Sequence, residues 1–161
     1  MSPPRVVVLG IGNTLMGDDG VGVRIAEELS AHTLGGPGEV EVVTGAVAGM
    51  ALVGYLRESP NVIFADAIEA GGQPGDVFRF DPDNAGVTQL RSNTTHGMSV
   101  SYLVTAARMA GADPEVLVYA VQVGDVRPNP DALTPAVAAA VVPTADLIAE
   151  QIASLLSQSA G

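Results

Sequence analysis

The sequence predicts an α/β fold: one domain in which a mostly parallel, twisted sheet of about five strands is covered by helices on both faces. Short, valine-rich apolar runs, typical of strands buried on both faces, recur along the chain. Segments with helical spacing lie between them, and such alternation builds βαβ units with parallel strands. At 161 residues, with no repeat and no linker, the chain has the length of a single domain, 1–161.

The first half of the chain contains three predicted strands with two helices between them. The strands are the apolar runs Arg5–Gly10, Glu39–Gly45 and Asn61–Ile68. A glycine-rich turn leads from the first strand into a helix whose apolar face is formed by Val21, Ile25, Ala26 and Leu29. The second helix is predicted over Ala48–Ser59, so each of these helices connects two parallel strands.

The second half begins with many turn residues, among which only Asp76–Phe80 alternates enough to be a strand. A helix is predicted from Thr95 to Gly111, followed by the last strand, Glu115–Val123. The terminal helix covers Thr134–Leu156, with a kink expected at Pro143 because proline removes a helical hydrogen bond. We expect residues 157–161 to be frayed.

Composition excludes several classes of function. The net charge is −11, lysine is absent and the seven arginines are scattered, so nucleic acid and anionic membranes are not expected partners. Without cysteine, any metal must be held by Asp, Glu or His. No apolar run reaches the roughly 18 to 20 residues of a membrane span, and the first residues do not resemble a secretory signal. We expect a cytoplasmic protein.

The turn after the first strand resembles a dinucleotide-binding loop but departs from it. Gly10 and Gly12 are present, whereas Leu15 occupies the place of the third glycine. No acid ends the second strand to bind a ribose. Asp18 and Asp19 would repel a pyrophosphate at the mouth of the loop. The two carboxylates therefore indicate a positively charged partner.

One of these aspartates is explained by helix capping, since Asp is a favoured N-cap; we assign that role to Asp18. A second carboxylate, Asp19, then needs a cation or a proton. Asp66 ends the apolar part of the third strand, and His96 begins a later helix. Taken singly, Asp66 could simply start a loop and His96 could be a surface residue. His32 follows the first helix at the opposite end of the sheet.

Parallel strands bring the junctions that carry Asp19, Asp66 and His96 to one edge of the sheet. Two carboxylates and an imidazole suit nickel or zinc better than calcium or magnesium. This set is sparse for a permanent site, so the metal is expected to come from something the protein binds. An H-E-x-x-H motif is absent, and Ser99 lacks the surroundings of a nucleophile elbow.

The motifs LGIGNTLMGDDGVGVRIAEEL, TGAVAGMAL, FADAIEAGGQPGDV, TTHGMSVSYL and LTPAV resemble, in order and spacing, those of the [NiFe]-hydrogenase maturation endopeptidases. This similarity covers about Arg5 to Leu156. It implies a cytoplasmic peptidase that removes the C-terminal extension of a hydrogenase large-subunit precursor after nickel insertion. In that family the metal positions match Asp19, Asp66 and His96, and the substrate's own nickel serves as the recognition element, so no permanent cofactor is expected.

The sequence leaves some choices open. The water could be activated by the metal or by one aspartate acting as a general base. Gly45, Gly49 and Met50 could shape the wall of a peptide-binding cleft or be ordinary turn and core residues. The alternative function is a non-catalytic, nickel-dependent checkpoint or carrier protein of hydrogenase assembly.

Overall fold

A computed structural model describes residues 2–44, 49–83, 100–130 and 132–158. In these ranges there are five strands and four α-helices. The strands are β1 (Val6–Gly10), β2 (Val40–Val43), β3 (Asn61–Ile68), β4 (Val77–Phe80) and β5 (Glu115–Gln122). The helices are α1 (Val21–Leu29), α2 (Ala51–Glu58), α3 (Val100–Met109) and α4 (Pro135–Gln158), and a short 3-10 turn, Gly17–Gly20, precedes α1.

The strands form one sheet in the order β2-β1-β3-β5-β4. Four of them are parallel, and β4 alone runs antiparallel, beside β5 at the edge. The chain turns back after β3, and two hydrogen bonds pair the residues just before β4 with the end of β5. Gly75 donates its N–H to the carbonyl of Gln122 (2.9 Å), and Gln122 donates its N–H to the carbonyl of Asp76 (2.8 Å). The predicted mostly parallel sheet of five strands is confirmed, including the strand within Asp76–Phe80.

Helices cover both faces of the sheet, as predicted. One core lies under α1 and α4, and its buried side chains include Val6, Val8, Ile25, Tyr119 and Ile148. The other lies under α2 and α3 and includes Val7, Leu9, Leu56, Phe64 and Leu103. Alternate residues of β1 enter opposite cores because successive side chains of a strand point to opposite faces. Both faces of β1 are therefore buried, which explains its uninterrupted apolar sequence.

The terminal helix α4 is long and apolar enough to span a membrane, with a mean hydropathy of 1.4 over its most apolar window. A third of this window is buried: its buried residues, among them Val137, Ile148 and Ile152, lie on the face of the helix that packs against the sheet and α1. The helix continues without interruption through Pro143. Ser157 and Gln158, which we expected to fray, are its last two residues, and Ser157 donates a hydrogen bond to the carbonyl of Ser154.

Three predicted elements extend into ranges that the structure does not describe. The strand Glu39–Gly45 is observed as Val40–Val43, and the helix Ala48–Ser59 as Ala51–Glu58. Gly45 and Ala48 lie outside the described residues. The helix predicted from Thr95 is described from Val100 to Met109, so Thr95, His96 and Ser99 are likewise outside.

Candidate active site

The turn after β1 brings α1 very close to the sheet. Gly12 has a φ of 145°, and a Cβ at this position would overlap the carbonyl oxygen of Asp19. A Cβ on Gly22, in the first turn of α1, would overlap the carbonyl oxygens of Ala65 and Ile11. Gly22 thus permits the close helix-to-strand contact for which the dinucleotide fingerprint uses its third glycine. The similarity of this sequence to a phosphate-binding loop therefore reflects the glycines that the close packing of α1 on the sheet requires.

Asp19 lies in the 3-10 turn and is only 4% exposed. Its Oδ2 atom accepts a hydrogen bond from the backbone N–H of Asn13 at 2.9 Å. This bond closes the turn on itself, since Asn13 stands at the start of the loop and Asp19 near its end. The Asp19 carboxylate is therefore held at the carboxyl end of β1, as the sequence predicts.

Asp66 lies within β3, beside Ala120 of β5, and is 4% exposed. Its Oδ1 atom accepts the N–H of Ala67 at 2.7 Å. Burial raises the pKa of Asp66 well above its usual value; the Ala67 hydrogen bond opposes this change and the charge of Asp19 adds to it. The charge of Asp19 thus acts on Asp66, and both buried carboxyl groups belong to the carboxyl end of the sheet, one after β1 and one near the end of β3.

His96 is outside the described residues, so the complete set of three remains a prediction. Within the part of the chain that the structure describes, no group of three or more His, Asp or Glu side chains could hold a metal ion. The described portion of the site is therefore a pair of buried carboxylates. Such a pair is electrostatically unfavourable when both groups are ionised, and a divalent cation would relieve the repulsion.

Asp18 does not cap α1, and that prediction is wrong. Neither the 3-10 turn nor α1 has a side-chain cap at its N-terminus. The Asp18 carboxylate is fully buried and accepts four hydrogen bonds, from the N–H groups of Gly124 and Asp125 and from the N–H and hydroxyl of Thr134. Thr134 immediately precedes α4, so Asp18 binds at the start of a helix 116 residues further along the chain.

Gln122, the last residue of β5, is not among the residues singled out from the sequence, yet it is only 2% exposed. Its Oε1 accepts the N–H groups of Ala70 (2.8 Å) and Gly72 (3.2 Å), and its Nε2 donates to Glu69 Oε1 (2.9 Å). Gln122 thereby shapes the loop that follows the strand of Asp66. The signal was a polar residue near the end of an apolar strand, the same signal that identified Asp66.

The remaining residues singled out from the sequence lie around or away from this pair. His32 follows α1, and its Nε2 is 3.9 Å from Asp146 Oδ1 of α4, away from the carboxyl ends of the strands. Gly49 has a φ of 64°, and Met50, just before α2, is 55% exposed. Met50 is therefore not a core residue. Whether it contacts a bound peptide stays a prediction, as does the role of Gly45.

Comparison with known proteins assigns the family. A model of the hydrogenase maturation protease family (HycI) matches residues 23–151, a range that begins just after Asp19 and contains Asp66 and His96. The Hydrogenase 2 maturation protease of Escherichia coli K12 is 30% identical over 156 residues, covering 96% of this chain and 92% of that protein. The hydrogenase expression/formation protein HupD of Bradyrhizobium diazoefficiens is 33% identical over 151 residues, covering 92% and 78%.

Solved structures agree with this assignment. The hydrogenase maturating endopeptidase HybD from E. coli superimposes with a TM-score of 0.78 at 30% identity, covering 89% of each chain. The [NiFe] hydrogenase maturation protease HycI from Thermococcus kodakarensis superimposes with a TM-score of 0.73 at 26% identity, covering 92% of each chain. The chain belongs to the hydrogenase maturation protease family, and it is an endopeptidase of hydrogenase maturation.

Proposed function

We propose that this endopeptidase removes the C-terminal extension of a [NiFe]-hydrogenase large-subunit precursor after nickel insertion, and that Asp19, Asp66 and His96 bind the precursor's nickel. The buried pair of Asp19 and Asp66 carries the proposal. Two buried carboxyl groups at the carboxyl end of the sheet form a place that favours a cation, because a cation would stabilise their ionised forms. We place the reaction in the cytoplasm. This compartment is reducing, and a chain without cysteine is compatible with it because the fold needs no disulfide.

The donor set supports nickel that arrives with the substrate. Carboxylate and imidazole ligands suit a borderline divalent ion. Two carboxylates and one imidazole leave coordination positions for ligands from the precursor, so the ion would be shared by the two proteins. A precursor without nickel would lack this shared contact. The proposed site therefore distinguishes a loaded precursor from an empty one.

Peptide-bond hydrolysis would follow from positioning. Nickel shared between Asp19, Asp66 and His96 would place the scissile bond beside these side chains, and fixing the reacting groups in this way supplies several kcal/mol of the barrier reduction. Two routes can then activate the water: coordination to the metal lowers the pKa of the water, or one carboxylate accepts its proton. Replacing nickel by zinc in the precursor changes the acidity of a metal-bound water and so bears directly on the first route.

The experiment that tests the proposal compares nickel-loaded and nickel-free precursor incubated with the purified protein, with the products identified by mass spectrometry. Cleavage confined to the loaded precursor, at a single site near its C-terminus, is the expected result. Equal cleavage of both forms would refute recognition through nickel. Binding of the loaded precursor without cleavage would favour the alternative, a nickel-dependent checkpoint or carrier protein.

A further inference from the structure

Asp18 occupies a site that hydrogen-bond donors surround on several sides. Its Oδ2 atom accepts from Gly124 N, Asp125 N and the Thr134 hydroxyl, each at 2.8 Å, and its Oδ1 accepts from Thr134 N at 2.7 Å. Hydrogen bonds to an ionised acceptor are stronger than neutral ones, and four of them offset the cost of removing a carboxylate from water. The Asp18 side chain thus binds the turn to two distant segments, the loop after β5 and the residue before α4.

The backbone of the same turn is bound to the same loop. Asp18 donates its N–H to the carbonyl of Asp125 at 2.8 Å, and Gly17 donates to Asn129 at 3.3 Å. Asn129 in turn donates to the carbonyl of Leu15 at 3.0 Å. The turn that carries Asp19 is therefore attached to the loop after β5 through both its main chain and the Asp18 side chain.

The end of β5 also holds the strand that carries Asp66. Asp66 is paired with Ala120 in the sheet, and Val123 donates its N–H to the carbonyl of Ile68 at 3.0 Å. One segment, 120–125, thus contacts the structures that carry both carboxylates. The attachment of the turn to this segment acts together with the direct bond from the Ile11 N–H to the carbonyl of Ala65 in β3 (3.0 Å), and Asp18 makes the attachment through its side chain.

We propose that Asp18 is a positioning residue for the peptidase reaction. Through Gly124, Asp125 and Thr134 it holds the turn so that Asp19 stands beside Asp66. Asp18 itself is fully buried and both of its carboxylate oxygens accept these internal hydrogen bonds, so the role that we assign to it requires no contact with the substrate or its metal. This inference rests on the proposed function of Asp19 and Asp66, and it adds that α4, through the residue before it, controls the geometry of the site.

If Asp18 had a purely structural role, the loss of its hydrogen bonds would lower stability without a specific effect on the reaction. Substitutions at two threonines, one just before α4 and one within it, distinguish this from a positioning role. Thr134→Val removes the hydroxyl that donates to Asp18 and preserves the shape of the side chain. Thr144→Val is the matched control, because the fully buried Thr144 donates its hydroxyl to the carbonyl of Ala140 at 2.6 Å and does not contact Asp18. Thr134→Ser retains the donor.

The test measures kcat and KM for cleavage of nickel-loaded precursor at a temperature at which circular dichroism shows all variants to be folded. We expect Thr134→Val to lower kcat on the order of tenfold or more, since small misplacements of reacting groups have effects of this size. Thr144→Val and Thr134→Ser should retain the wild-type kcat. An unchanged kcat in Thr134→Val, or an equal loss in Thr144→Val, would overturn the inference.

A second readout does not depend on cleavage. The Asn13 amide donates to Asp19, so its hydrogen exchange reports whether Asp19 keeps its place. Exchange of the Asn13 amide should be faster in Thr134→Val than in the wild type, and unchanged in Thr144→Val. If the wild type fails to cleave loaded precursor, the proposed function fails, while the exchange rates still decide whether Asp18 positions Asp19. Equal exchange in Thr134→Val and wild type would overturn the positioning role.

Discussion

The Oδ2 atom of Asp18 lies 2.8 Å from the hydroxyl of Thr134, a residue 116 positions later in the chain. This hydrogen bond joins the turn after the first strand to the start of the last helix. The turn and the helix are therefore fixed with respect to each other by a buried carboxylate. Asp18 stabilises the contact between this turn and the start of α4, and it makes no cap contact to α1, the helix that follows it.

Replacing Asp18 by alanine is expected to destabilise the protein well beyond the roughly 1 kcal/mol of a lost N-cap. The substitution leaves four donors without their acceptor in a buried place, and we expect a loss of about 3 to 5 kcal/mol in the free energy of unfolding. Urea denaturation measures this. Asp146→Ala, at a side chain that is 59% exposed, is the matched control and should change stability by less than about 0.5 kcal/mol. A loss near 1 kcal/mol for Asp18→Ala would contradict the buried network.

Alanine substitutions of two helical glycines should have opposite effects. Gly22→Ala places a methyl group against the carbonyl oxygens of Ala65 and Ile11, so α1 must move away from the sheet. We expect a loss of about 1 to 3 kcal/mol or more. Gly54→Ala, in α2, meets nothing within 4 Å and should stabilise by about 0.5 to 1 kcal/mol through helix propensity. Thermal unfolding compares the two variants, and equal effects would refute the close contact at Gly22.

Asp66→Asn should change the dependence of stability on pH. The pKa of Asp66 is raised in the folded state, so between the unfolded value near 3.8 and the folded value the native protein binds more protons than the unfolded chain. The contribution of Asp66 to stability is therefore most favourable at low pH and is lost as pH rises through the folded pKa. Asparagine removes this dependence and can still accept the Ala67 N–H.

The measurement is the free energy of unfolding of wild type and Asp66→Asn from pH 4 to pH 8, in the presence of a chelator. The stability of the variant relative to wild type should increase with pH. A difference that is constant across this range would contradict the raised pKa. Cleavage of loaded precursor by Asp66→Asn should be abolished, and wild-type activity in this variant would remove Asp66 from the proposed site.

His96→Ala should abolish processing of nickel-loaded precursor while leaving the free energy of unfolding nearly unchanged. The reason is that an imidazole ligand is lost from the proposed nickel site. His32→Ala is the matched control, because His32 lies beside Asp146 on α4 and away from the carboxyl ends of the strands. Gel analysis of precursor cleavage distinguishes the two. Equal activity of both variants would exclude His96 from the mechanism.

Much of the fold could be predicted because it depends on local patterns. Valine-rich runs such as β1 are apolar without interruption since both of their faces are buried, and Val21, Ile25 and Leu29 repeat at helical spacing because one side of α1 meets the sheet. Parallel strands place their carboxyl ends at one edge, so the placement of Asp19 and Asp66 at that edge also followed from the order of strands and helices along the chain.

The sequence by itself thus determined the α/β fold and the placement of Asp19 and Asp66 at the carboxyl end of the sheet, since both depend on periodicity and on the order of elements. Tertiary structure alone decided the partners of Asp18 and Gln122. The donors to Asp18 lie 106 to 116 residues away, and the amides that Gln122 binds lie 50 and 52 residues away. Local propensity favoured a cap for Asp18. The folded chain surrounds its carboxylate with donors from distant segments, and the free energy of those buried hydrogen bonds exceeds that of a local cap.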